Sequence, residues 1–199
     1  VAQLAALYQQ KGRIATVVAA KSVLPVWCDA TQAQLAAQQG AITLRHDHQA
    51  DVQLLAIGAY QLQEIERAAK RLRAKGVGVS VVAIVEPARF RIARDAREAA
   101  YVWDDQTVNN IVPEVQKRLF VCHGRPEVMT GVLRRLDTGY QHSRFVGYHN
   151  RGGTLDVFGM LYANKITWAH IIIYVAELLA ENAQLWLSAE EYAAVQGKG

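Results

Sequence analysis

The chain has 199 residues, which is enough for one domain with a core of its own and too few for two large catalytic domains. Hydrophobic residues make up 51% and charged residues 20%, a composition that excludes intrinsic disorder. The longest wholly apolar run, residues 171–176, is far shorter than the roughly 20 residues of a membrane span, and no secretory signal opens the sequence. We therefore expect a cytoplasmic protein with no membrane partner.

The first 45 residues differ from the rest of the chain. Residues 14–20 are a candidate strand, and residues 31–39, rich in alanine and glutamine, are predicted to form a helix that ends at Gly40. We interpret residues 1–45 as an arm that links to a preceding domain, and residues 46–199 as the α/β domain itself.

A βαβ unit is predicted next. The apolar runs 52–57 and 77–85 flank a segment whose hydrophobic residues recur at helical spacing, namely Leu62, Ile65, Ala69 and Leu72. Because such crossovers are almost always right-handed, the two strands should be parallel neighbours in a sheet that is covered on both faces.

The alternation continues with a third strand at residues 118–122. A helix is predicted over residues 125–136, where Pro126 lies in the first turn and apolar residues recur every four positions, at Val128, Val132 and Leu136.

A short strand at residues 145–147 then precedes one long helix, predicted over residues 156–179. Its β-branched run, residues 171–173, could also be a strand, but the length of the apolar segment favours a helix. The order of elements indicates an α/β sandwich.

Cysteine chemistry is limited in this sequence. Cys28 and Cys122 form neither a disulfide framework nor a metal-binding spacing, so we expect reduced packing residues. Cys122 and His123 are neighbours along a strand and point to opposite faces, which excludes a cysteine–histidine nucleophile pair. His123 follows a strand at its carboxyl end and could act as a base or a hydrogen-bonding brace, but a structural turn residue is favoured.

Two further groups have a functional and a structural interpretation. His46 and His48 could chelate a metal from one face of an extended segment, but they lack a third ligand, so an exposed polar junction is favoured. The net charge is +4, and the arginines at 89, 91, 94 and 97 could meet nucleic acid. They alternate with acidic residues and lack stacking aromatics, which favours a solvated or interdomain surface and no nucleic-acid partner.

Glycines precede the last predicted helix at Gly152 and Gly153. Such a turn can bind an anion at the helix start, but Thr154 or Asp156 acting as the helix cap is favoured. The sequence contains no Walker P-loop, no GxGxxG fingerprint and no Gly-Asp-Gly segment of the kind that holds Mg²⁺ beside thiamine diphosphate.

Three motifs lie in order along the chain. Residues 17–21 read Val-Val-Ala-Ala-Lys and are followed by Trp27; residues 119–126 end in Cys-His-Gly-Arg-Pro; residues 147–160 combine Gly-Tyr, a Gly-Gly-Thr turn and Phe-Gly-Met, with Asn164 beyond them. Together they resemble the C-terminal domain of phosphoketolases. That family has an apolar strand ending in Gly-Lys with a later Trp, a His-Gly-Tyr-Pro type turn, and a Gly-Tyr, Gly-Thr-rich, Phe-x-Met and Asn series.

The resemblance implies a three-layer α/β sandwich of the transketolase C-terminal type, with mostly parallel strands and one antiparallel strand. It also implies a longer parent enzyme, which fits a chain that begins with Val1. The parent would use thiamine diphosphate and Mg²⁺, held by other domains, to cleave xylulose 5-phosphate or fructose 6-phosphate with phosphate into acetyl phosphate and an aldose phosphate. This segment would bind no cofactor and carry no catalytic residue. It would pack against the thiamine-binding domains and support a homodimer.

Lys21 is the candidate site residue, because it matches the family's Gly-Lys lysine, which is thought to help bind the sugar phosphate or inorganic phosphate. From the residues alone, an anion anchor and a solvated strand-end lysine are about equally well supported. In this chain Ala20 stands for the family's glycine, and Ser22 and Val23 stand for a polar residue and a proline.

Two other functions stay open. The chain could be a non-catalytic interaction module with a phosphoketolase-like fold, or the C-terminal domain of another thiamine diphosphate enzyme. The His-Gly-x-Pro and Gly-Tyr…Phe-x-Met features favour phosphoketolase. Because Gly-Asp-Gly is missing, the isolated chain is expected to be inactive.

Overall fold

The computed structural model describes residue 19, residues 21–149 and residues 152–197. Apart from Ala19, the strand predicted over residues 14–20 lies outside the described residues, as do Asn150 and Arg151 of the glycine-rich turn.

One sheet forms the centre of the fold. Within the described ranges it has five strands, β1 (Ala41–Arg45), β2 (Val52–Ile57), β3 (Val79–Ile84), β4 (Arg118–Cys122) and β5 (Ser143–Gly147). Their order is β1-β3-β2-β4-β5, with β1 antiparallel to β3 and the other neighbours parallel. The predicted βαβ unit and the mostly parallel sheet with one antiparallel strand are both confirmed.

The antiparallel strand is the one that the sequence did not reveal. Helix α1 (Ala30–Gln39) ends as expected at Gly40, whose φ of 81° is left-handed backbone that glycine adopts without strain. The chain then enters β1 at once. Only the first two residues of β1 are buried, so the alternation of apolar and polar residues is too weak to predict a strand. The interpretation of residues 1–45 as a link to a preceding domain stays a prediction.

Helices α2 (Ala59–Ala74) and α7 (Trp168–Leu179) cover one face of the sheet. Their buried apolar residues, including Ile65, Leu72, Ile171 and Ile172, pack with Leu54, Val81, Leu119 and Val121 of the strands. The run 171–173 is therefore helical, as predicted, and Ile171 and Ile172 are among the many buried residues of α7.

The prediction of a single helix over residues 156–179 is wrong. The structure has two helices, α6 (Val157–Ala163) and α7, and Lys165 between them has a φ of 57°. Asn164 ends α6 by donating from its amide to the Met160 carbonyl, and it also accepts from the backbone N–H of His149. The break turns Ile166 into the core, where it is fully buried. A straight helix would not combine these contacts.

Shorter elements cover the other face and complete three layers. They are α4 (Asp105–Ile111), α5 (Pro126–Val132) and the 3-10 turns Pro87–Phe90 and Arg134–Leu136, while α3 (Ala96–Ala99) buries none of its residues. Leu55, Ile57, Val82, Ile84, Phe120 and Cys122 form the sheet's contribution to this second core. Phe120 and Phe145 stack with ring centroids 4.0 Å apart.

The helix predicted over residues 125–136 begins correctly at Pro126 but ends at Val132. Of its three predicted apolar positions, Val132 and Leu136 pack in the second core as expected, whereas Val128 is exposed. Leu133, which the spacing did not select, is fully buried there.

The chain ends in the 3-10 turn Ala183–Leu185 and helix α8 (Ala189–Val195). Among the helices of the described residues, none has the length and apolar character needed to cross a membrane.

Candidate functional site

The carboxyl ends of three parallel strands meet at one edge of the sheet. Ile57 pairs with Cys122, and Cys122 pairs with Gly147, so the last residues of β2, β4 and β5 are in register. In open α/β sheets ligands bind outside this edge, which makes it the candidate site.

His123 follows β4 directly at this edge. Its side chain is exposed, its backbone N–H donates to the Ile57 carbonyl at 2.8 Å, and its ring Nδ1 lies 3.2 Å from the same oxygen. A carbonyl only accepts, so Nδ1 carries the proton in this contact. His123 thus ties the end of β4 to the end of β2, as a brace would.

Cys122 lies on the opposite side of the strand and cannot assist His123. Its thiol is fully buried, and burial raises the pKa of Cys122 to about 12. A thiol held protonated is a poor nucleophile, so the expected packing role fits the geometry.

Lys21 has an exposed side chain, and the contact of the next residue shows where it lies. The hydroxyl groups of Ser22 and Tyr60 are 2.6 Å apart. Tyr60 is the second residue of α2, and α2 starts one residue after Gly58, at the carboxyl end of β2. Trp27, farther along the same segment, packs against the core shared by α2 and α7. The segment that carries Lys21 therefore crosses the first turn of α2, at the candidate edge.

The sequence pointed to Lys21 but not to Tyr60. A tyrosine in the first turn of a helix has no unusual spacing, and its partner is 38 residues away in the chain. Only the fold brings the two residues together.

The glycine–tyrosine motif closes the same edge on the β5 side. Tyr148 donates its backbone N–H to the Gly124 carbonyl at 3.0 Å, and His149 donates to the Asn164 side chain at 2.8 Å. A Cβ at position 147 would collide with the Gly124 carbonyl oxygen. These residues shape the loops around the edge through their backbone groups and the Asn164 side chain.

The glycine-rich turn leads to a cap. Asp156 directly precedes α6 and accepts a hydrogen bond from the backbone N–H of Gly159. Asp156 is therefore the helix cap, as one of the two predictions had it. Thr154 is exposed and does not take that position.

His46 and His48 lie at the opposite edge of the sheet. Nε2 of His46 is 3.1 Å from Nδ1 of His48, and both side chains are exposed, as expected for a polar junction. With Arg45 and Arg73 they line an open cleft of about 710 Å³, which Lys21 does not reach. Among the described residues, no group of three or more His, Cys, Asp or Glu side chains could hold a metal ion.

The arginine-rich stretch makes internal contacts. Arg91 and Arg94 both pair with Glu98, and hydrogen bonds from Arg94 lower the pKa of Glu98 to about 2. Arg89 pairs with Glu86, and its guanidinium lies 4.8 Å from the centre of the Trp103 ring. Charges compensated in this way fit the predicted solvated surface better than a surface for nucleic acid.

Comparison with protein families identifies the domain. The family model described as XFP C-terminal domain matches residues 21–196, which is most of the chain. The chain belongs to this family. The resemblance to the phosphoketolase C-terminal domain is thereby confirmed. Comparison with curated proteins gave no significant match.

Solved structures similar to this XFP C-terminal domain include transketolases. The transketolase of Pichia stipitis in complex with sedoheptulose 7-phosphate has a TM-score of 0.52 and 18% identity, over 74% of this chain and 19% of that chain. A split-gene transketolase described as an inactive β4 tetramer has a TM-score of 0.52 and 15% identity, over 80% of this chain and 48% of that one. At these identities the likeness concerns the fold alone. The chain spans about a fifth of the length of the Pichia enzyme.

Proposed function

We propose that this chain is the C-terminal domain of a phosphoketolase. The full-length polypeptide would cleave xylulose 5-phosphate or fructose 6-phosphate with inorganic phosphate, yielding acetyl phosphate and an aldose phosphate. The family match over residues 21–196 is the single observation that carries this proposal. A cytoplasmic setting goes with it.

The cofactor belongs elsewhere in the polypeptide under this proposal. Thiamine diphosphate, with Mg²⁺, would supply the carbanion chemistry. The sequence has no Gly-Asp-Gly segment, and the described residues lack a metal-binding cluster, so these residues do not fit the cofactor. We derive no step through it on this chain.

Lys21 is the residue that this domain would contribute to substrate binding. An ammonium group offers three N–H donors on a flexible stem, and phosphate oxygens accept them. The Lys21 side chain is exposed at the carboxyl edge, where a neighbouring domain can bring a phosphate to it.

An interdomain and dimer-supporting role is the second part of the proposal. Leu155, Val157 and Phe158 expose 56%, 41% and 65% of their surface beside this edge. Neighbouring exposed apolar side chains are typical of surfaces that pack against protein. We assign this apolar surface to contacts with the thiamine-binding domains of the same polypeptide, within a homodimer. The same surface also suits the alternative of a non-catalytic interaction module.

Substitution of Lys21 by alanine in the full-length polypeptide tests its role. We expect the KM for phosphate or for the sugar phosphate to rise roughly tenfold or more, with kcat little changed and thiamine diphosphate binding intact, because the lost contact is with a ground-state phosphate. Lys70→Ala, an exposed lysine on α2, is the matched control. Unchanged kinetics for Lys21→Ala would remove the assigned role.

A further inference from the structure

The hydrogen bond between Ser22 and Tyr60 is the feature that fixes the backbone next to Lys21. It joins two hydroxyl groups at 2.6 Å, one in the N-terminal segment and one on α2. The Tyr60 ring is half-buried and packs against the core of α2 and α7, so its hydroxyl is held in place by a rigid part of the fold.

Lys21 needs such an anchor because the surrounding segment has little contact with the domain. Val23 is 101% exposed and Val26 is 89% exposed. A lysine side chain also has four rotatable bonds and loses much rotamer freedom when it binds. An exposed lysine on a loosely held segment would be a poor phosphate ligand.

We propose that Tyr60 is a positioning residue for Lys21. Its hydroxyl holds Ser22 at the carboxyl edge of the sheet and thereby aims the Lys21 ammonium at the substrate phosphate. This inference rests on the proposed function. It adds Tyr60, whose residue type and position in the sequence do not indicate a role in positioning Lys21.

The test uses Tyr60→Phe and Ser22→Ala in the full-length polypeptide, singly and together. Tyr60→Phe removes one oxygen and keeps the ring that packs on the core. We expect each single variant to raise the KM for the phosphate group bound by Lys21 roughly threefold to tenfold, with kcat unchanged, as the loss of one hydrogen bond predicts. The double variant should be no worse than the singles, because both remove the same bond.

A second readout needs no activity. Lys21 is followed by a bond that trypsin can cut, so the rate of cleavage after Lys21, measured by mass spectrometry, reports how firmly the segment is held. Tyr60→Phe should speed this cleavage roughly threefold to tenfold. Tyr174→Phe is the matched control, because its hydroxyl donates to the Lys165 carbonyl and not to a residue of this segment. It should change neither rate nor KM.

The outcomes separate this inference from the proposed function. Faster cleavage together with a raised KM supports a positioning role. If Tyr60→Phe leaves the cleavage rate unchanged, or speeds cleavage without changing the KM, the positioning role is overturned. This holds even if Lys21→Ala raises the KM. Additive effects in the double variant also overturn it. If the full-length polypeptide forms no acetyl phosphate, the proposed function fails and the inference falls with it.

Discussion

At the scale of single residues, His170 shows how the fold selects a protonation state. The residue is 5% exposed on α7, and its Nδ1 lies 2.8 Å from the Thr167 hydroxyl. A neutral ring satisfies this contact, because a hydroxyl group can donate or accept. Burial, with a smaller effect of the Lys165 charge, lowers the pKa of His170 to about 4.

Stability should therefore fall as the solution becomes acidic. Above about pH 6.5, the pKa of an unfolded histidine, both states are neutral and no penalty exists. Between pH 6.5 and 4 the unfolded chain binds a proton that the folded chain refuses, which costs about 2 kcal/mol on going from pH 7 to pH 5. Urea unfolding at the two pH values measures this loss.

Two variants isolate the contribution of His170. His170→Gln should lose clearly less stability than the parent between pH 7 and pH 5, since its side chain does not titrate. His46→Gln, at an exposed position, should behave like the parent. An equal loss in His170→Gln and the parent would show that His170 is not the titrating group.

The two cysteines should differ in reactivity. Cys122 is fully buried with a raised pKa, whereas Cys28 is half-buried. Labelling with a thiol reagent at neutral pH should therefore modify Cys28 quickly and Cys122 only on unfolding. Cys28→Ser should abolish the fast phase; a fast phase that persists would contradict the burial of Cys122.

Residue types and spacing could predict part of this detail. The inertness of Cys122 followed from its place in an apolar strand, and Lys21 followed from a motif. Tyr60 and His170 could not be identified in this way. The partner of Tyr60 lies in a distant segment, and His170 is buried where α7 and α8 pack together.

At the scale of elements, Gly147 allows the end of β5 to lie close to the loop that follows β4 at the carboxyl edge. A Cβ there would meet the Gly124 carbonyl oxygen and would lie 3.1 Å from the Cys122 carbonyl oxygen. Both obstacles are backbone and cannot rotate away. Gly147→Ala should therefore lower the free energy of unfolding by about 2 kcal/mol or more, measured by urea denaturation.

A second glycine provides the control. Gly131 is exposed in α5, and a Cβ there would have no heavy atom within 4 Å. Gly131→Ala should leave stability unchanged or raise it by about 0.5–1 kcal/mol through helix propensity. If Gly147→Ala were as stable as Gly131→Ala, the close packing of β4 and β5 at this edge would be wrong.

Strands were easier to predict than helix ends. The buried strands β2, β3 and β4 are nearly continuous apolar runs, which is typical of parallel strands with both faces covered. At the break between α6 and α7, Asn164 accepts a hydrogen bond from His149 in another loop, a long-range contact that no periodicity encodes. Strand β1 is half-exposed at the sheet edge, and its pattern is correspondingly weak.

At the scale of the whole molecule, the three-layer sandwich is the scaffold, and the candidate site lies at the carboxyl edge of its sheet. The resemblance of three motifs predicted the family and the fold, and both are confirmed. The reaction could not be predicted from this domain, because one fold hosts many activities. The substrate assignment accordingly depends on the intact polypeptide.

The most direct test is to measure acetyl phosphate formed from xylulose 5-phosphate by the full-length polypeptide, supplied with thiamine diphosphate, Mg²⁺ and phosphate. The proposed function predicts acetyl phosphate and an aldose phosphate in equal amounts, dependent on added phosphate, and none from residues 1–199 alone. No acetyl phosphate from the full-length polypeptide would contradict it. Transfer of the two-carbon unit to an aldose, without acetyl phosphate, would identify a different thiamine diphosphate enzyme.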